Sequence, residues 1–299
     1  MKKNNFILKI KKNCTAFYED ENMGKHTSFK TGGIAKYFCR PKSVQALASI
    51  VKTCNENNLK YYILGNGTNT VFFKFDGLVI CLRDLRQICV LEDDLVVCEA
   101  GVDMFRLNLF LSECNLSGMA WSYGIPGSVG GAVIMNAGAY GGEIGNVVEK
   151  IEVFDGKRFK TLKKNKLWFS YRKSCFSENK LIVTKVYLRL KKEQNNEEIK
   201  ETMFSIFEKR KKNHPLDYPS AGSVFKRQGN FIPGMEIEKR GLKGTRIGGA
   251  EVSQKHAGFI MNKEAATPQD VKALVEFVKA KMFEEKGVAL EQEVIFVDE

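Results

Sequence analysis

Histidine is scarce in this chain, with three in 299 residues, and its eight cysteines include no CxxC pair. A structural zinc centre needs clustered nitrogen and sulfur ligands at short spacings, so these absences argue against one and no metal is expected. Cys14, Cys39, Cys54, Cys81, Cys89, Cys98, Cys114 and Cys175 instead read as small buried hydrophobes, several in apolar, strand-like settings such as 78–82. Free thiols suit a reducing compartment, which places the protein in the cytoplasm. Long apolar runs are missing as well. Lys9 and Lys11 interrupt the apolar stretch of the basic N-terminal segment, which therefore lacks the core of a secretory signal. No segment approaches the roughly 20 apolar residues of a membrane helix, so no membrane association is expected. Low-complexity tracts and internal repeats are absent too, which removes disordered and solenoid readings.

What remains is a compact chain long enough for two domains, each with its own core. The net charge of +12 makes anionic partners plausible, whether nucleic acid, a membrane surface or small phosphorylated ligands. The excess is scattered, with short runs at Lys11–Lys12, Lys163–Lys164 and 209–212, and no continuous basic stripe. A solvated basic surface explains it better than a nucleic-acid face, so no nucleic-acid partner is expected.

Along the chain, Ser43 is placed to cap a helix in which Val44, Leu47, Val51 and Cys54 share one apolar face. Tyr61 to Leu64 then reads as a short strand running into the glycine turn at Gly65–Asn66–Gly67, with further strands at 78–82 and 95–99. Asp103 can cap the next helix, with Leu107, Phe110 and Leu111 inward. Asp155–Gly156 between 151–154 and 157–159 is a hairpin signal, and a long strand follows over 181–190. The polar stretch 191–196 is the best candidate linker. Beyond it, Ile199, Met203, Ile206 and Phe207 fall at helical spacing up to His214, where Pro215 ends the helix. Thr267 and Pro268 open a last long helix that stops before Gly287, and a strand over 293–297 closes the chain.

Glycine is the residue in local excess. The segment from Gly124 to Gly145 packs eight of the chain's 26 glycines into 22 residues. Glycine loses the most backbone entropy on folding, so such density needs a reason. Close approach of backbone N–H groups to a bound phosphate is one, and a series of tight turns with close packing is the other. The run is no Walker loop, since no Gly-Lys-Ser/Thr follows, and no good dinucleotide fingerprint either. Gly65-Asn66-Gly67-Thr68-Asn69 is a second, smaller strand-end loop suited to the same pyrophosphate, or to a plain turn.

With these blocks in view, the chain resembles the UDP-N-acetylenolpyruvoylglucosamine reductases, also called UDP-N-acetylmuramate dehydrogenases, over nearly its whole length. The resemblance rests on 26–33 (HTSFKTGG), 65–69, 124–140, 171–174 (YRKS), 219–226 (PSAGSVFK), 241–250, 256–260 (HAGFI) and 290–294 (LEQEV), all in the family's order. It implies an α+β fold: a two-part FAD-binding domain of the vanillyl-alcohol-oxidase type with a smaller α/β substrate-binding domain. Residues 1–192 become the FAD-binding region, split into subdomains near 80–90. Residues 197–287 become the substrate-binding domain, and 288–299 a C-terminal strand returning to the active site. The implied reaction uses NADPH to reduce FAD, which then reduces the enolpyruvyl double bond of UDP-N-acetylglucosamine enolpyruvate to UDP-N-acetylmuramate. An enol ether resists hydride, but conjugation to a carboxylate makes addition feasible once developing charge is stabilised and a proton supplied.

The resemblance maps roles onto residues. Ser223 matches the proton donor, and Arg172 the arginine whose planar fork holds the substrate carboxylate. Glu293 matches a nearby carboxyl that must carry a proton to donate to an enolic oxygen. Gly65, Asn66, Gly67, Thr68, Asn69, Gly124, Pro126, Gly127, Ser128, Gly130, Gly131, Asn136, Gly138 and Ala139 become the FAD loops. Tyr171, Lys226 and Arg227 are candidates for substrate contact, although a solvated basic pair explains Lys226 and Arg227 equally well. His256 receives no catalytic role. Taken singly, each of these residues has a plainer explanation as a turn, an ion pair or a surface group.

Thr68 stands where the family commonly has serine, Thr70 where an apolar residue is usual, and Thr31 where an aliphatic one is common; no reacting group is lost. The stretch between Arg172 and Ser223 lacks a tyrosine-bearing insertion found in one branch, so the chain resembles the other branch. A monomer is expected. The rival enzyme reading is an FAD-dependent oxidase of the same superfamily, which would share the glycine loops but not the Ser223 block or Glu293. A basic nucleic-acid-binding protein is the rival of another class, and it leaves the glycine runs unexplained.

Overall fold

The computed structural model describes residues 2–177 and 181–298. Met1 and Glu299, at the ends of the expected 1–192 and 288–299 segments, lie outside the described residues, as do 178–180. The chain divides into two compact units. The first comprises Met1–Glu19, Tyr37–Asn66 and Gly77–Lys209, the second Asp20–Lys36, Gly67–Asp76 and Arg210–Glu299. Helices and sheets mix in both, as the expected α+β class requires.

In the first unit, Ser43 caps the helix Val44–Glu56 by accepting from the Ala46 N–H, and Leu47, Ile50, Val51 and Cys54 are buried along one face. The following strand, Tyr61–Leu64, pairs in parallel with Phe75–Cys81, Tyr61 opposite Leu78 and Leu64 opposite Cys81. They belong to a four-stranded sheet with Cys14–Asn22 and Ile34–Pro41. A second, wholly antiparallel sheet runs in spatial order Phe159–Lys163, Val148–Phe154, Ile182–Arg189, Leu95–Glu99 and Ile88–Glu92. Between them lies one continuous core that includes Leu47, Leu78, Val96, Leu107, Val129, Ile151 and Val186. Asp103 caps Met104–Glu113 by accepting from the N–H groups of Phe105 and Arg106.

The hairpin at Asp155 is looser than a two-residue turn. Phe154 pairs with Phe159, and Asp155 Oδ1 accepts from the N–H groups of Lys157 and Arg158, so the loop is an aspartate-stabilised turn of four residues. The stretch 191–196 is not a free linker at its start. Lys191–Lys192 pair antiparallel with Leu116–Ser117, and the helix Glu197–Asn213 turns Ile206 into the first unit's core and Phe207 edge-on to Tyr123. Apolar burial therefore carries the first unit to Lys209, past the border that composition suggests.

The second unit is built on a four-stranded sheet, ordered Ser220–Ser223, Phe259–Asn262, Ala250–Val252 and Arg246–Ile247. Its core gathers Val224, Ile237, Val252, Ile260, Val271, Leu274 and Val278. The helix Pro268–Lys286 starts with a full capping box, Thr267 and Asp270 bonding each other's backbone, and ends at Gly287 in the left-handed conformation. Ile295–Val297 pairs in parallel with Thr70–Phe72.

All eight cysteines are free thiols. Cys39, Cys54, Cys81, Cys98 and Cys175 are buried as expected, Cys14 and Cys114 are half-buried, and Cys89 is exposed on the edge strand Ile88–Glu92, whose residues from Cys89 to Glu92 all face solvent. Burial pushes the Cys54 and Cys98 thiols up to about 12, which keeps them protonated and inert. Among the described residues no helix is long and apolar enough to cross a membrane.

Candidate active site

Three loops of the first unit meet around Gly65. The strand Tyr61–Leu64 delivers Gly65 and Asn66, the strand Leu95–Glu99 runs on to Asp103, and the glycine-rich segment brings Gly127 to Gly131. Backbone bonds tie the last two together: Met104 N–H donates to Gly127 O at 3.0 Å, Val129 N–H to Val102 O at 2.8 Å and Gly130 N–H to Ala100 O at 2.8 Å. Asn66 is fixed twice, its Nδ2 donating to Asp103 Oδ2 at 2.8 Å and its carbonyl accepting from the Arg83 guanidinium at 2.9 Å. A Cβ built on Gly65 would stand 2.3 Å from Ser128 Oγ, so with Ser128 in place any larger residue at 65 has to push that hydroxyl aside.

Packing alone explains part of the glycine density. A Cβ on Gly130 would lie 2.8 Å from the Ala100 Cβ, and one on Gly142 would lie 2.3 Å from the Trp121 ring. Gly131 differs, since its nearest neighbour in the same test is Ser128 Oγ at 3.4 Å, an ordinary contact. Gly65, Asn66, Ser128 and Gly131 thus present backbone and short polar groups without bulk, and Arg83 brings a cation to the same loop. Such a set of donors fits the pyrophosphate of FAD. Neither Arg83 nor Asp103 figures among the site residues read from sequence. Asp103 is legible there only as a helix cap, and Arg83 only as a charge following a strand.

Arg172 joins this unit through a tight turn. Phe169–Ser170 and Lys173–Ser174 form a two-stranded hairpin whose turn residues are Tyr171 and Arg172. Arg172 takes φ +55°, a left-handed conformation uncommon outside glycine, asparagine and aspartate. Its guanidinium donates to Gly138 O at 3.3 Å, and Asn136 Nδ2 donates to Ser170 O at 3.0 Å, so the turn is anchored on the glycine-rich segment. Asn136 Oδ1 also accepts from the Gly145 N–H at 3.1 Å, which holds that amide in place. Tyr171 is exposed, with its ring 5.1 Å from the Arg172 guanidinium carbon.

Ser223 and Glu293 come together in the second unit. Ser223 ends the strand Ser220–Ser223 opposite Phe259, preceded by Gly222 at φ +76° with nothing near the position of a Cβ. The C-terminal segment lies alongside: Glu293 N–H donates to Val224 O at 2.7 Å and Lys226 N–H to Glu291 O at 2.8 Å, with Phe225 bridged to Gln292. Both side chains are half-buried. Ser28 Oγ donates to Ser220 O at 2.7 Å and its N–H to Gly67 O at 3.0 Å, so the 26–33 block braces the Ser223 strand and the small glycine loop alike. Lys226, although half-buried, forms an ion pair with Glu291 at 2.5 Å, whereas Arg227 is exposed. His256 accepts the Gly258 N–H on Nδ1 at 3.0 Å and packs against His214 and Phe259, a structural role.

Two family models match this chain. An FAD-binding domain model matches residues 35–157, and the model for the C-terminal domain of UDP-N-acetylenolpyruvoylglucosamine reductase matches 214–297. The fold and the glycine-lined loops thus define an FAD-containing oxidoreductase. The UDP-N-acetylenolpyruvoylglucosamine reductase of Thermotoga maritima is 46% identical over 277 residues, 92% of this chain and 96% of its own length. That of Clostridium novyi is 41% identical over 93% of this chain and 91% of its own. The crystal structure of the enzyme from Thermus caldophilus superposes with a TM-score of 0.80 at 32% identity, covering 95% of this chain and 98% of that one. The chain belongs to the UDP-N-acetylenolpyruvoylglucosamine reductase family. The match of its C-terminal domain supports this reading and gives the oxidase alternative no support.

Proposed function

We propose that this chain reduces UDP-N-acetylglucosamine enolpyruvate to UDP-N-acetylmuramate, a step in peptidoglycan precursor synthesis, with NADPH as reductant. The observation that carries the reading is the presence, in one chain, of an FAD-binding domain match over 35–157 and this reductase's C-terminal domain match over 214–297. Residues 1–192 are assigned to FAD, 197–287 to the substrate, and 288–299 to the strand that brings Glu293 to the site. FAD, when bound, would supply two-electron chemistry between NADPH and the enolpyruvyl double bond. The loops at Gly65 to Thr68 and Gly124 to Ala139 would hold FAD.

The chain's own residues provide charge and the proton. The Arg172 fork, fixed by its turn and the bond to Gly138, holds the substrate carboxylate and offsets the charge that develops as the double bond is consumed. Glu293, carrying a proton that it keeps, donates a hydrogen bond to the enolic oxygen. Ser223 Oγ then gives its proton to the carbon beside the ether oxygen. A hydroxyl is a weak acid, but the carbanion-like centre is a strong base, and a half-buried strand end holds the donor in place. Tyr171 and Arg227 are assigned to the sugar nucleotide. For Lys226 the diphosphate has to displace Glu291. We place the activity in the cytoplasm, in a monomer with no nucleic-acid or membrane partner. The test is stoichiometry: NADPH oxidation that depends on the enolpyruvyl sugar nucleotide, one equivalent per lactyl ether formed. NADPH oxidation indifferent to that substrate, with no such product, overturns the proposal.

A further inference from the structure

The small glycine loop ends in a residue whose side chain is turned to a purpose the motif does not suggest. Within the second unit, Thr70–Phe72 and Ile295–Val297 form a parallel pair, and its first rung is the Ile295 N–H donating to the Asn69 carbonyl at 2.9 Å. One residue further back, the ladder continues through a side chain. Asn69 Nδ2 donates to the carbonyl of Glu293 at 3.0 Å. From the opposite side, the Glu293 N–H is held by Val224 O at 2.7 Å, next to Ser223. The amide and the carbonyl of Glu293 are thus each fixed, one by the Ser223-bearing segment and the other by Asn69. Val294, the next residue, is buried, and the Asn69 bond to the Glu293 carbonyl sets the plane of the peptide between Glu293 and Val294.

We propose that Asn69 is a positioning residue that aims the Glu293 carboxyl, acting through the backbone of Glu293 and not as a side-chain ligand of FAD. This rests on the assignment of Glu293 to the reaction proposed above. A side-chain amide is suited to the task because it can supply a single N–H donor where the backbone ladder has run out. Misplacement of a reacting group by a fraction of an ångström to an ångström is enough to slow the step it serves by up to about a hundredfold.

The experiment uses the FAD-loaded protein with Asn69→Asp, nearly isosteric but without the N–H donor, and Asn69→Ala beside it. Expected is an FAD affinity and a rate of flavin reduction by NADPH within about threefold of the parent, with reoxidation by the enolpyruvyl sugar nucleotide slowed about ten- to a hundredfold. In a Glu293→Ala background the same substitutions should change reoxidation by no more than about twofold, because the group they aim is gone. Amide hydrogen exchange should also rise in the peptide covering 291–297 and stay unchanged in the helix Pro268–Lys286. A loss of FAD affinity above about tenfold with reoxidation intact, effects that multiply in the double variant, or unchanged exchange over 291–297 each overturn the proposal. Loss of FAD and both half-reactions together in both variants does so too. If the parent protein itself is not reoxidised by the sugar nucleotide, the functional reading fails instead, and the exchange result still decides whether Asn69 holds this segment.

Discussion

Gly65→Ala probes the junction on which the FAD site depends. A methyl at this position would begin 2.3 Å from Ser128 Oγ, so the hydroxyl has to move by about 1 Å to reach ordinary contact. Ser128 cannot yield freely, since it caps the helix Val129–Ile134 by accepting from the Gly131 N–H at 3.3 Å. Overpacking costs about 2 kcal/mol and the lost cap about 1 kcal/mol, against a gain of about 0.5 kcal/mol from restricting the unfolded chain. The net loss of about 2–3 kcal/mol corresponds to a melting temperature roughly 3–5 °C lower for a chain of 299 residues. Ser128→Ala supplies the control. It removes the oxygen and leaves the Ser128 Cβ at 3.4 Å, an ordinary contact, so Gly65→Ala in that background should cost nothing beyond Ser128→Ala itself. Thermal unfolding of the four proteins, each saturated with FAD, measures the coupling. A Gly65→Ala protein that melts within a degree of the parent, or that loses as much in the Ser128→Ala background, would refute the reasoning.

Two further outcomes are expected. Ser223→Ala should leave flavin reduction by NADPH intact and slow transfer to the enolpyruvyl substrate by about a hundredfold or more, measured by anaerobic stopped flow; equal loss of both half-reactions removes the proton-donor role. His214 has its titration pushed down from 6.5 to about 4, first by burial and then by the positive charges of Arg210, His256 and Lys255. The unfolded chain binds the proton as pH falls below 6.5 while the folded one does not until about 4, so stability should fall by on the order of 2 kcal/mol across that window. Urea titrations at several pH values should show the decline, and His214→Gln should flatten it.

Local chemistry made much of the fold legible. Ser43, Asp103 and Thr267 cap helices where their spacing to apolar faces places them, because each bond closes within three residues. Lys191 and Lys192 read as linker because their pairing with Leu116 and Ser117 depends on a strand some 75 positions away, for which composition carries no signal. The glycine-rich run shows the same limit inside the site. Its density signalled a constraint, but the Trp121 ring against Gly142 and Ser128 against Gly65 are distinct causes that only three-dimensional proximity separates. Ser223 and Glu293 became visible through family resemblance, since their juxtaposition crosses most of the second unit's sequence. Asn69 could be read as part of a glycine loop; that its amide reaches a carbonyl 224 residues away could not.

The most direct test of the central claim follows the colour of the purified protein. Under anaerobic conditions the oxidised flavin should bleach on addition of NADPH and regain its absorbance on addition of UDP-N-acetylglucosamine enolpyruvate, with UDP-N-acetylmuramate released. A protein that takes up no FAD, or a reduced flavin that molecular oxygen reoxidises but the sugar nucleotide does not, would contradict it.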